Sequence, residues 1–118
     1  LTTDGFELRD VPAPECGPGQ LLVRVAAIGV CEGEVVRYRD FLAHPSPGAE
    51  AWMGHEASGY VAEVGEGVDG FCPGDAVTVN GGAFAELIVA DPGHSAVLGG
   101  VDRDRHRCSG IGLLDGVV

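Results

Sequence analysis

A chain of 118 residues, 45% of them hydrophobic, has enough apolar material for one buried core, and its 20 glycines and 7 prolines follow no short period, which excludes a collagen-like or low-complexity chain. Eighteen acidic residues against seven arginines and no lysine leave a net charge of −11. That balance disfavours nucleic acid as a partner and is most simply a solvated acidic surface.

No apolar run approaches the ~20 residues that span a bilayer, and the start shows no basic stretch followed by an apolar one. A cytoplasmic location away from membranes is therefore expected. Leu1 is not an initiator and Met53 is the single methionine, the pattern of a fragment or a processed chain. Cys16, Cys31, Cys72 and Cys108 form no C-x-x-C pair, so free thiols or metal ligands are expected over disulfides.

In chain order, residues 6–11 alternate well enough for a first strand, and the run Pro12-Ala13-Pro14-Glu15-Cys16-Gly17-Pro18-Gly19 stops it. Residues 20–29 form a β-branched apolar run of strand length that ends at Gly29-Val30-Cys31. A short helix or turn follows over residues 34–41, and residues 43–51 have the composition of a loop that exposes His44.

Residues 57–64 predict a curved strand in which glycine relieves crowding. Turns at Gly65-Glu66-Gly67 and Cys72-Pro73-Gly74-Asp75 lead into a strand at Ala76-Val77-Thr78-Val79. Asn80-Gly81-Gly82 has the composition of a hairpin turn, with another strand over residues 83–89 and a last short one over residues 95–98. Many short strands between turns make this an all-β pattern.

The most specific stretch runs from Gly54-His55-Glu56 to Val68 and is closed by Gly74-Asp75-Ala76-Val77. A zinc-like ion takes thiolate, imidazole and carboxylate donors, and a catalytic site leaves one position open. Cys31, His55, Glu56 and Cys108 have the right chemistry, but they come from separate loop ends and only the fold can gather them. The plainer alternatives are a His55-Glu56 pair bonded to backbone, an inert Cys31 at a strand end and an ordinary buried thiol at Cys108.

Taken together, four features resemble the N-terminal catalytic domain of the zinc-dependent medium-chain alcohol dehydrogenases: Leu21-Leu22-Val23-Arg24-Val25 through Gly29-Val30-Cys31, Gly54-His55-Glu56 through Val68, Gly74-Asp75-Ala76-Val77, and Gly82-Ala83-Phe84-Ala85-Glu86. The resemblance covers about residues 6–90. It implies a mainly β, GroES-like, partly open barrel with short helical segments. Residues 1–98 would form that domain, and residues 99–118 a tail or the start of the connection to a cofactor-binding domain.

The resemblance further implies that Cys31 and His55 hold a catalytic zinc and that Glu56 is a ligand able to exchange with water. Cys108 is the best match to the family's third protein ligand, with Asp91, Asp102 and Asp104 as substitutes. Gly33 stands where relatives commonly carry a proton-relaying hydroxyl. Glu34 replaces the typical aspartate and would orient His55 from behind. The cysteine-rich lobe that holds a second zinc in many relatives is absent.

No G-x-G-x-x-G after a strand appears, so NAD or NADP would be bound by a Rossmann domain outside this chain. The expected activity is hydride transfer between that nicotinamide and a small alcohol or carbonyl compound polarised by the metal, with the lone domain inactive. The competing readings are a non-redox GroES-like binding or assembly module and a zinc-site relative catalysing a non-redox reaction. Self-association, or contact with a cofactor-binding domain through residues 108–118, is expected because the face that meets that domain would otherwise be bare.

Overall fold

The computed structural model describes residues 1–81 and 84–98. Five strands form one antiparallel sheet: β1 (Leu21–Gly29), β2 (Glu56–Val64), β3 (Ala76–Asn80), β4 (Leu87–Ala90) and β5 (Ser95–Val97), in the order β4-β1-β2-β3-β5. The helix α1 (Glu32–Ala43) joins β1 to the long loop before β2, and a 3-10 turn (Pro92–His94) precedes β5. This is the mainly β architecture with short helical pieces that the sequence implies. Among the described residues β4 and β5 do not pair with each other, so the sheet stays open.

The core follows from period-two alternation on the strands. Leu21 and Val23 on β1, Ala57 and Val61 on β2, Val77 and Val79 on β3, and Ile88 and Ala90 on β4 all point to one side and are buried. Arg24, Tyr60 and Thr78 face outward. The β1–β2 register shifts between Leu22 and Val23 and again between Val25 and Ala27. One extra residue on one strand bends and twists a ladder, which is how a nine-residue pair curves over a small core. Gly59 permits the close approach, because a Cβ there would lie 2.0 Å from the Arg24 carbonyl oxygen.

α1 starts where two acids, Glu32 and Glu34, sit in its first turn and complement the helix dipole. It stops just before Pro45, with His44 N–H donating to the Asp40 carbonyl. The helix is longer than the sequence pattern suggests and weakly amphipathic, and Glu34 is its one buried residue.

Three expectations are corrected. Residues 6–11 form no strand, because they pair with no neighbouring strand and Leu8 is fully exposed. They are held instead by Arg9, which bridges Glu7 (2.9 Å) and Glu50 (2.7 Å), and by Phe6 stacked on Tyr38 at 5.2 Å. The Arg9 guanidinium, hydrogen-bonded to Glu7, holds that exposed carboxyl below its usual range.

The second correction concerns Asn80-Gly81-Gly82, which joins no hairpin. β3 pairs with β2 and β5, whereas β4 pairs with β1, so the chain crosses from one side of the sheet to the other. The strand after that crossing is short and begins only at Leu87. Third, Cys16 and Cys31 are free thiols but Cys72 is disulfide-bonded. Among the described residues no helix is long and apolar enough to cross a membrane.

Candidate metal centre

Two chain segments that leave the β1–β2 pair at the same end build the site. Cys31 lies two residues beyond the end of β1 and caps the N-terminus of α1 in extended conformation, with its side chain making no capping hydrogen bond. His55 immediately precedes β2, and Glu56 is the first residue of that strand. Gly29 pairs with Glu56 across the ladder, which brings the two segments level.

The loop that carries His55 is clamped by the crossing segment. Gly81 N–H donates to the His55 carbonyl (2.8 Å) and Phe84 N–H to that of Met53 (2.7 Å). Gly54, between them, has φ of 105°, a conformation that favours glycine, and a Cβ there would lie 2.7 Å from Ile28 Cδ1.

Glu34 fixes the imidazole from behind. Its Oε1 accepts from Gly54 N–H (3.1 Å) and lies 2.5 Å from His55 Nδ1, while the side chain as a whole is only 4% exposed. With Nδ1 engaged by a carboxylate, Nε2 is the nitrogen left for a ligand role. The second oxygen, Oε2, is buried and has no partner among the described residues, a desolvation cost of about 1–3 kcal/mol.

His55 Nε2 faces Cys31 Sγ at 3.4 Å and Glu56 Oε1 at 3.6 Å, and the donor atoms of the three residues all lie within 4.8 Å of one another. Bond lengths of 2.0–2.3 Å around a tetrahedral zinc place neighbouring donors roughly 3.3–3.6 Å apart. The cluster therefore fits such an ion in donor type and in the two separations from the imidazole nitrogen. Three donors leave one position of a tetrahedron open, as in a catalytic site. Space is kept for the carboxylate by Gly29, where a Cβ would stand 2.9 Å from Glu56 Oε2.

Of the residues singled out from the sequence, the structure brings together Cys31, His55, Glu56 and Glu34. Asp91 is elsewhere: it caps the 3-10 turn by accepting from Gly93 N–H (2.8 Å) and lies 3.4 Å from His94 Nδ1. Cys108, Asp102 and Asp104 lie outside the described residues. The backbone donors at Gly54, Gly81 and Phe84 had no signal in the sequence, because a main-chain N–H reveals its partner only once the fold is known.

A family model described as the alcohol dehydrogenase GroES-like domain matches residues 17–112. The chain belongs to this family. Within it, acryloyl-coenzyme A reductase of Metallosphaera sedula is 36% identical over 73 residues, which is 62% of this chain and 21% of that protein. Sorbitol dehydrogenase of Halalkalibacterium halodurans is 38% identical over 76 residues, 64% of this chain and 21% of that protein.

Among solved structures, an alcohol dehydrogenase superfamily protein from Novosphingobium aromaticivorans superposes with a TM-score of 0.68 at 28% identity, covering 81% of this chain and 31% of the other. The chain thus spans about a fifth of the curated relatives and about a third of that structure. It has the fold and the family of the alcohol dehydrogenase GroES-like domain, with the three-donor cluster standing at one end of the β1–β2 pair.

Proposed function

We propose that this chain is the metal-holding part of a zinc-dependent alcohol dehydrogenase-type oxidoreductase acting on a small alcohol or carbonyl compound. Residues 1–98 would be the working domain, and residues 99–118 would lead to the part that binds NAD or NADP. The observation that carries the reading is the convergence of Cys31, His55 and Glu56 on one point.

A zinc ion held by Cys31 Sγ, His55 Nε2 and the Glu56 carboxylate would supply Lewis-acid polarisation of the substrate oxygen. The chain's own residues do the rest. Glu34 keeps the proton of His55 on Nδ1 and the ring in one orientation. The clamp from Gly81 and Phe84 holds the imidazole loop against the end of β1, and Glu56, which is more than half exposed, is the donor with room to move aside for water or substrate.

Elemental analysis of protein prepared with zinc tests this directly. About one ion per chain is expected, falling to background in Cys31→Ser and in His55→Ala while the fold, followed by circular dichroism, persists. A reduced, folded wild-type protein that takes up no zinc overturns the reading.

A further inference from the structure

Glu34 carries one oxygen that the metal-centre geometry does not use. Its Oε1 meets Gly54 N–H and His55 Nδ1, whereas Oε2 is buried and has no hydrogen-bond partner among the described residues. Beside it lies a cavity of about 200 Å³ in which Glu34 is the one charged lining residue, the rest being apolar or aromatic, among them Phe6, Tyr38, Met53 and Phe84. Side chains of this kind offer entering water few partners, so the wall keeps the carboxylate oxygen desolvated.

Phe6 is the part of that wall contributed by the segment ahead of the sheet. Its ring stacks on Tyr38 of α1, with centroids 5.2 Å apart and planes 6° apart, and meets Phe84 edge-on at 6.2 Å. It thereby links α1 to the crossing segment that clamps the His55 loop. The segment that carries it is also tied to the residues leading into that loop: Ala51 N–H donates to the Leu1 carbonyl (2.9 Å), Thr2 bridges Glu50, and Arg9 reaches Glu50 at 2.7 Å. Phe6 nonetheless remains 60% exposed. A ring so exposed adds little to the core, yet side chains of two other segments pin it.

In dry surroundings the hydrogen bonds of a carboxylate are stronger than in water, because no solvent dipoles share its charge. Water at Oε2 would divide that charge and loosen the hold on the imidazole.

We propose that Phe6 is a positioning residue for the metal centre: it keeps water from Glu34 Oε2, so that the charge of the carboxylate is directed through Oε1 to His55 Nδ1 and Gly54 N–H. It acts through Glu34 rather than as a ligand. The proposal rests on the metal-centre reading above and adds to it a residue that tunes how tightly the ion is held.

Two readouts separate this role from plain support of the fold. In the metal-free chain, hydrogen exchange of the Gly54 amide, which donates to the same carboxylate, should quicken about threefold or more in Phe6→Ala. Zinc affinity, measured on the whole chain by competition with a chelator, should fall about three- to tenfold in Phe6→Ala, less than on loss of the carboxylate itself, and Phe6→Leu should recover most of it. In a Glu34→Gln background the same Phe6→Ala change should leave zinc affinity unaltered, because the group it shields is gone, while its effect on the urea midpoint is the same in both backgrounds.

An equal loss of zinc affinity from Phe6→Ala with and without Glu34→Gln overturns the proposal and makes Phe6 a structural residue. Unchanged Gly54 exchange in Phe6→Ala overturns it as well. A wild-type chain that takes up no zinc, while Gly54 exchange still quickens in Phe6→Ala, overturns the metal-centre reading and leaves Phe6 as the shield of Glu34.

Discussion

Cys16 and Cys31 flank the same strand, one before β1 and one after it, and each reaches across to β2. Cys16 Sγ meets only main-chain oxygens, those of Gln20 (3.4 Å), Gly17 (3.8 Å) and Glu63 (3.8 Å). Cys31 Sγ meets the ring of His55, with Glu56 alongside. Burial, and then the Glu63 charge, push the Cys16 thiol up, so it stays protonated and inert. The same side chain at the opposite end of the ladder becomes a metal-ligand candidate. What differs is the residue that the partner strand presents: carbonyls at the β2 exit, an imidazole and a carboxylate at its entrance.

The largest way to break this contrast is to remove the strand pair that both ends depend on. Leu21 is fully buried in the core, so Leu21→Ala is expected to cost about 3 kcal/mol and to shift the urea midpoint accordingly. Both thiols should then react alike in a partly unfolded population. Thiol-labelling kinetics with and without denaturant measure this, and an unchanged midpoint would mean that Leu21 carries little of the core.

Next in size is the pair of thiol substitutions. Cys31→Ser is expected to abolish high-affinity cobalt or zinc uptake, whereas Cys16→Ser leaves it intact. Equal loss in the two variants would erase the distinction between the ends. Glu34→Gln should act more weakly, lowering metal affinity about 10–100-fold by loosening the His55 ring without removing a ligand. Competition with a chelator reads that change, and wild-type affinity in Glu34→Gln would remove Glu34 from the site.

The smallest effect is a pH dependence. Because the folded state raises the Cys16 pKa above its ordinary value, the stability that this thiol contributes is fully present below its unfolded pKa and lost as pH rises through the folded one. Alkylation of Cys16 in the Cys31→Ser variant should therefore need a more alkaline pH in the native state than in urea. Coincident pH profiles would contradict the assignment.

Much of this was legible along the chain. β1, β2 and β3 alternate with period two and are bounded by glycine turns, a pattern that local sterics and burial dictate together. Other features were not. The alternation in residues 6–11 is as good as in a real strand, but a strand needs a neighbour, and these residues pair with none. Asn80-Gly81-Gly82 carries hairpin composition, yet β2 and β1 lie between β3 and β4 in the sheet. Turn chemistry reports a change of direction and says nothing about which strand is met afterwards.

The amino-acid order by itself determined the donor types, the strands that carry them and the family pattern into which Cys31, His55 and Glu56 fall, because each depends on residue chemistry and short-range periodicity. Only the tertiary structure decided that Cys31 and His55, 24 positions apart, come within 3.4 Å, and that Glu34 holds the ring from behind. Those distances follow from ladder register and from the crossing of β3 to β4, and register is fixed by burying one face of the whole sheet at once.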